Sequence, residues 1–200
     1  MELTHNRTVK IVATLLFLAA ISQPIYTALY TLVPEFGSRK ALWGLEAILF
    51  VLLTAFAGSA LVMAKRYTLG FSAIAFSAIL NVMQIGVGLT QFGPFRAASS
   101  VNPELGGMAF SVVAFSFFGY NAAKILLALA AIVFGMGKIG EGKKILGGAA
   151  VAVGIVAFIA NALVMTFGLQ GFVPRPLAGG SGVLATLLLS LCLFTVKTEQ

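Results

Sequence analysis

Six stretches of the chain are dominated by apolar residues, near 11–33, 41–64, 68–92, 107–137, 145–170 and 177–196. Each is long enough to cross a bilayer, which takes about 20 helical residues. Short segments bearing Gly, Pro and charge separate them: PEFGSRK, KRYT, FGPFRAASSVNPELGG, KIGEGKK and QGFVPRPLAGG. In lipid every backbone polar group must be satisfied within the protein, so spans of this composition fold as helices. The pattern predicts an all-α integral membrane protein, a six-transmembrane-helix bundle forming one domain over residues 1–200. Only the third connection, at 93–107, has the length for a substantial loop.

The first stretch has the outline of a signal peptide, with Arg7 and Lys10 ahead of an apolar core and Ala19 and Ala20 as small residues near a cleavage point. Its apolar character continues through PIYTALYTLV to Val33. That length predicts an uncleaved helix, bent at Pro24.

Polar residues inside the apolar stretches fall at helical spacing. Ser77, Asn81, Gln84, Gly88 and Gln91 follow one another on the third span; Asn121, Lys124, Ala128, Ala131 and Gly135 do so on the fourth; Ala150, Gly154, Ala157 and Asn161 form a shorter series on the fifth. Steps of three and four residues put each set on one helix face. The stripes are expected to point into the bundle, where small residues let helices approach and amides hydrogen-bond across the contact. Several amides and a charge at one depth exceed what packing requires, and they mark a polar site.

Lys124 is the most demanding of these residues, because a charge at the centre of a membrane helix costs about 2.5–3.5 kcal/mol on insertion scales. It lies fourteen residues from Lys138, and Glu46 lies six residues from Lys40. At the helical rise these separations are about 21 Å and about 9 Å, which set Lys124 and Glu46 at similar heights in the half of the membrane away from the termini. The two are expected to pair. A Schiff base on Lys124, of the kind that holds retinal, is the sharper alternative. Six spans, the absence of aspartate as a counter-ion and a single tryptophan, Trp43, stand against it.

Charge sets the orientation. Arg7, Lys10, Lys65, Arg66, Lys138, Lys143, Lys144 and Lys197 fall on the side that holds both termini, and Arg39, Lys40, Arg96 and Arg175 on the other. The positive-inside rule then predicts cytoplasmic termini in a cytoplasmic (inner) membrane. Arg39, Lys40, Arg96 and Arg175 read as headgroup anchors or as a basic mouth. Tyr26, Tyr30, Phe36 and Trp43 read as an interfacial aromatic belt.

An internal repeat accompanies this alternation. Without gaps, NVMQIGVGLTQFGP from Asn81 aligns with NALVMTFGLQGFVP from Asn161, matching Gly88 with Gly168, Phe92 with Phe172 and Pro94 with Pro174. Both segments follow a basic doublet, Lys65-Arg66 and Lys143-Lys144. The expected organisation is three helical hairpins in parallel orientation, pairing spans 1–2, 3–4 and 5–6.

Catalytic chemistry is scarce. The chain has no aspartate, Glu46 is the one acid within a long apolar run, the one histidine is His5, and Cys192 is the only cysteine. No nucleophile with an adjacent base, no phosphate-binding glycine loop and no metal-ligand spacing can be assembled. The net charge of +7 flanks the spans instead of forming one basic face, which argues against nucleic acid.

The sequence therefore predicts a non-enzymatic multi-pass membrane protein without a cofactor, for transport or small-molecule binding. Its site would be formed by Lys124, Glu46, Asn121, Asn81, Gln84, Asn161 and Gln23. The expected partners are the lipid bilayer and a small anionic or polar ligand, with Lys124 passing from Glu46 to the ligand, in a homo-oligomer or larger membrane complex. The competing expectation is a non-catalytic accessory subunit of such a complex, whose seam only fixes packing.

Overall fold

The computed structural model describes residues 3–32, 36–168 and 173–196. Among them six helices and no strand occur: α1 (His5–Leu32), α2 (Phe36–Met63), α3 (Thr68–Val101), α4 (Gly106–Gly140), α5 (Lys144–Phe167) and α6 (Arg175–Phe194). Each is long and apolar enough to span a membrane, so the fold is a six-helix membrane bundle.

The connections are as short as the sequence suggests, with one exception. The segment at 93–107 is not a loop: α3 runs helically through Pro94 to Val101, and a single 3-10 turn at Pro103–Leu105 leads into α4. The side chain of Asn102 accepts from the Glu104 N–H at 3.1 Å, and the Asn102 N–H bonds to Ala98 O at 2.9 Å, so the turn closes without exposed backbone ends. Pro94 removes one backbone bond, and in a helix projecting beyond the hydrocarbon water replaces it. Between α4 and α5 the chain reverses at Gly142, whose φ of 81° suits a residue without Cβ. Tyr67 takes a similar left-handed conformation, φ 60°, between α2 and α3.

Sequence neighbours pack against each other all the way round, α6 closes on α1, and α4 also crosses to α6. This ring is the neighbour order that three hairpins give; the α4–α6 contact makes the three unequal. The end of the bundle that holds residue 5 and residue 195 is solidly filled. Phe71 and Phe134 meet edge to face with centroids 5.1 Å apart, Tyr67 lies 5.0 Å from Phe134, and the His5 ring stands edge-on to Phe71 at 5.7 Å. Lys138, buried, donates to Glu141 Oε2 and to the Thr195 carbonyl, both at 2.7 Å, and so staples the end of α6 to α4. Its charge is satisfied inside the fold and also counts among the basic residues of that end.

The small-residue stripes of α4 and α5 face each other. A Cβ on Gly147 would stand 2.5 Å from Gly135 O, and one on Gly154 would stand 2.8 Å from Ile132 Cγ1. The two backbones approach to a distance only glycine permits. Ala128, Ala131, Ala150 and Ala157 are sealed along the same contact.

Candidate functional site

Toward the opposite end the ring widens around a cavity of about 910 Å³, and all six helices contribute to its lining. α1 supplies Gln23 and Tyr26, α2 supplies Trp43 and Glu46, α3 Gln84 and Phe92, α4 Ser116, Tyr120 and Asn121. α5 adds Val164, and α6 an apolar wall from Pro176 to Leu187. The spacing explains the gathering: Gln23 and Tyr26, Trp43 and Glu46, and Phe117 and Tyr120 are pairs three residues apart, one helical turn on one face.

The centre of the polar wall is a relay of three side chains. Lys124, 1 % exposed, donates from Nζ to Gln23 Oε1 at 2.7 Å, and Gln23 donates from Nε2 to Glu46 Oε1 at 3.4 Å. An amide can present its oxygen to a cation and its N–H to an anion at once, and this geometry uses both ends. Lys124 and Glu46 thus share a height, as the helical rise predicts, but they form no direct ion pair; Gln23 stands between them. The expected pairing is corrected to a bridged one, because α1 and α2 carry Gln23 further into the ring than the acid. The Lys124 ammonium also lies 5.3 Å from the Tyr120 ring centroid, on the aromatic face. Its stem is pressed against Gly182 of α6, where a Cβ would come 3.0 Å from Lys124 Cδ.

Of the seven residues proposed from sequence, Gln23, Glu46, Gln84 and Asn121 line the cavity. Lys124, Asn81 and Asn161 stand outside that lining. Asn81 donates to Ser77 O at 3.0 Å, and Ser77 donates to Ala123 O at 2.9 Å, which makes this pair a clasp between α3 and α4. Asn161 bridges α5 and α6 by donating to Ala157 O at 2.8 Å and Ala178 O at 3.1 Å; its Oδ1 is buried without a hydrogen-bond partner. Gln91, at the end of the α3 stripe, is exposed.

Sequence reasoning assigned Tyr26 and Trp43 to an interfacial belt, and they turn inward instead. Their rings stack at 5.7 Å, and Phe92 meets Trp43 edge-on at 5.8 Å. Gly88 makes room for the indole, since a Cβ there would stand 3.0 Å from Trp43 Cζ3. Tyr120 and Ser116 went unnoticed; the signal available was their four-residue spacing to Lys124 and to each other. The side chains of Tyr30, Phe36, Arg39 and Arg175 lie outside the described residues, so the belt and the basic mouth rest on Lys40 and Arg96, both exposed.

Among the described residues no group of three or more His, Cys, Asp or Glu side chains is placed to hold a metal ion. The chain matches no protein-family model, no curated protein and no solved structure.

Proposed function

We propose that this is a non-enzymatic small-molecule-binding membrane protein, serving solute transport or ligand capture, with its site in the six-helix cavity. The observation that carries the reading is the convergence of Gln23, Glu46, Gln84 and Asn121 from four helices on one space of about 910 Å³. A pocket of that volume with a few convergent polar groups in an apolar surround is the usual form of a ligand site. The relay behind it supplies the fixed charge: Lys124 holds Gln23, and Gln23 orients Glu46. We further read the termini as cytoplasmic and the membrane as a cytoplasmic one, which puts the cavity in the outer half.

The competing reading, an accessory subunit, needs a small-residue stripe offered to a partner. The α4 and α5 stripes are consumed within the chain. The exposed face of α2 carries Leu45, Ile48, Val51, Leu52 and Val62, branched aliphatics of the kind that meet lipid.

The test is native mass spectrometry of the gently extracted protein. The expected particle has the 20.9 kDa chain mass or a small multiple of it, with one small molecule per chain. Gly180 lines the cavity and has open space at its Cβ position, so Gly180→Leu fills part of that space and should release the molecule. A large particle containing other polypeptides, with no bound small molecule, would favour the subunit reading.

A further inference from the structure

The polar wall of the cavity offers hydrogen-bond acceptors and has already spent its donors. Asn121 donates to the Phe117 carbonyl at 2.6 Å. Because a carbonyl only accepts, this bond fixes the amide orientation and leaves Oδ1 over. Gln84 donates to Ser116 Oγ at 3.2 Å, and Ser116 donates in turn to the Gln84 carbonyl at 3.3 Å, so the leftover atom there is Gln84 Oε1. Gln23 gives its N–H to Glu46 and its oxygen to Lys124, which leaves the second oxygen of Glu46 without a partner. None of these three oxygens is among the sealed polar atoms of the fold. The wall therefore presents two amide oxygens and one carboxylate oxygen.

The rings reinforce that sign. Aromatic faces carry partial negative charge and attract cations within about 6 Å of their centroids. Trp43 lies one turn from Glu46 on the same face of α2, stacked on Tyr26 and flanked by Phe92. The nearest cation, Lys124, is turned away: its ammonium is committed to Gln23 and the Tyr120 face. An anion would meet acceptor oxygens and ring faces, and would reach Lys124 only by displacing Gln23. Beyond the polar wall, Val183, Leu184 and Leu187 line an apolar side long enough for a hydrocarbon body.

We propose that the cavity takes a lipophilic organic cation, its charge seated between Glu46 and the Tyr26, Trp43 and Phe92 rings and its apolar body along α6. This rests on the small-molecule reading above and names the class of molecule. A quaternary ammonium or phosphonium with aromatic substituents has the required features: a delocalised charge that loses little hydration, and enough apolar surface to enter from the bilayer.

Trp43 is the one tryptophan of the chain, so indole emission reports from the cavity wall. The intact protein in lipid nanodiscs is titrated with tetraphenylphosphonium and, separately, with tetraphenylborate, which has nearly the same size and shape and the opposite charge. The expected result is a saturable emission change with the phosphonium, none with the borate, and at least about tenfold weaker phosphonium binding in Glu46→Gln. Tribromobenzene, a neutral contact quencher of indole, tests whether the cavity admits an apolar guest at all. Saturable quenching by tribromobenzene with equal or stronger binding of the borate would overturn the cation class and leave the cavity reading standing. So would phosphonium binding unchanged in a folded Glu46→Gln. No saturable response to any of the three probes would overturn both. The comparison of the two ions on the unmodified chain decides between these outcomes even where the variant does not fold.

Discussion

Lys124, Gln23 and Glu46 act as one unit, and their energetics should be read from pairs of substitutions. Lys124→Met keeps the volume of the stem against Gly182 while removing the ammonium, which leaves Gln23 Oε1 without its donor and the Glu46 carboxylate without a nearby countercharge. Lys124→Met alone should lower thermal stability more than Lys124→Met combined with Glu46→Gln. In a double-mutant cycle on the purified protein this corresponds to a coupling of about 1–3 kcal/mol. Strict additivity would mean that the two charges do not sense each other through the amide. Their common height was legible in the sequence because the helical rise is fixed and the flanking lysines mark the membrane edges. The bridging role of Gln23 was not, since it depends on how far α1 is rotated about its own axis. The inward turn of Trp43 was hidden for a related reason: a tryptophan near a helix end reads equally well as an interfacial anchor and as a cavity wall.

Between α4 and α5 the contact is made by missing side chains, and its prediction belongs to the pair of helices. Gly147→Leu drives atoms into the Gly135 carbonyl and Ile139, and should cost about 2 kcal/mol or more of stability by overpacking a contact that cannot yield. Gly148→Ala, one residue on, meets nothing within 4 Å and should be neutral or stabilising by up to about 1 kcal/mol through helix propensity. Thermal unfolding of the two variants side by side separates backbone approach from mere helicity; equal losses would refute the assignment of the seam. The stripe was legible from its spacing alone. The helical continuation of α3 past Pro94 was not, because a Pro in a Gly-, Ser- and Arg-containing segment carries the usual marks of a loop. What overrides them is the pairing of α3 with α4, which continues beyond the apolar stretch and gives the extension a partner to lie on.

For the whole molecule, the closed ring and the even number of crossings put both ends of the chain on one side, and the basic residues decide which side that is. Cys192 is buried, which leaves the chain free of accessible thiols among the described residues and suits it to cysteine labelling. Ser100→Cys and Lys143→Cys, both at exposed positions, should behave oppositely in intact cells. A membrane-impermeant maleimide should label the first directly and the second only after the membrane is opened; the reverse would invert the topology and set the cavity in the inner half. The six-span plan was readable from the apolar pattern, whereas the cavity arises from the relative tilts and rotations of six helices, which no single span encodes.

The helices of this ring are very unequal, and the shortest one has a consequence of its own. α6 has 20 residues, about 30 Å at 1.5 Å per residue, while α4 has 35, about 52 Å. The longer helix can protrude, but α6 has no slack, and Arg175 at its start cannot be drawn into hydrocarbon cheaply. α6 therefore sets the bilayer thickness in which the protein is at ease. In a series of phosphatidylcholines of increasing acyl length, melting temperature should peak where the hydrocarbon matches α6 and fall in thicker bilayers, so that lipid chain length becomes a control on whether the wall of the cavity keeps its shape.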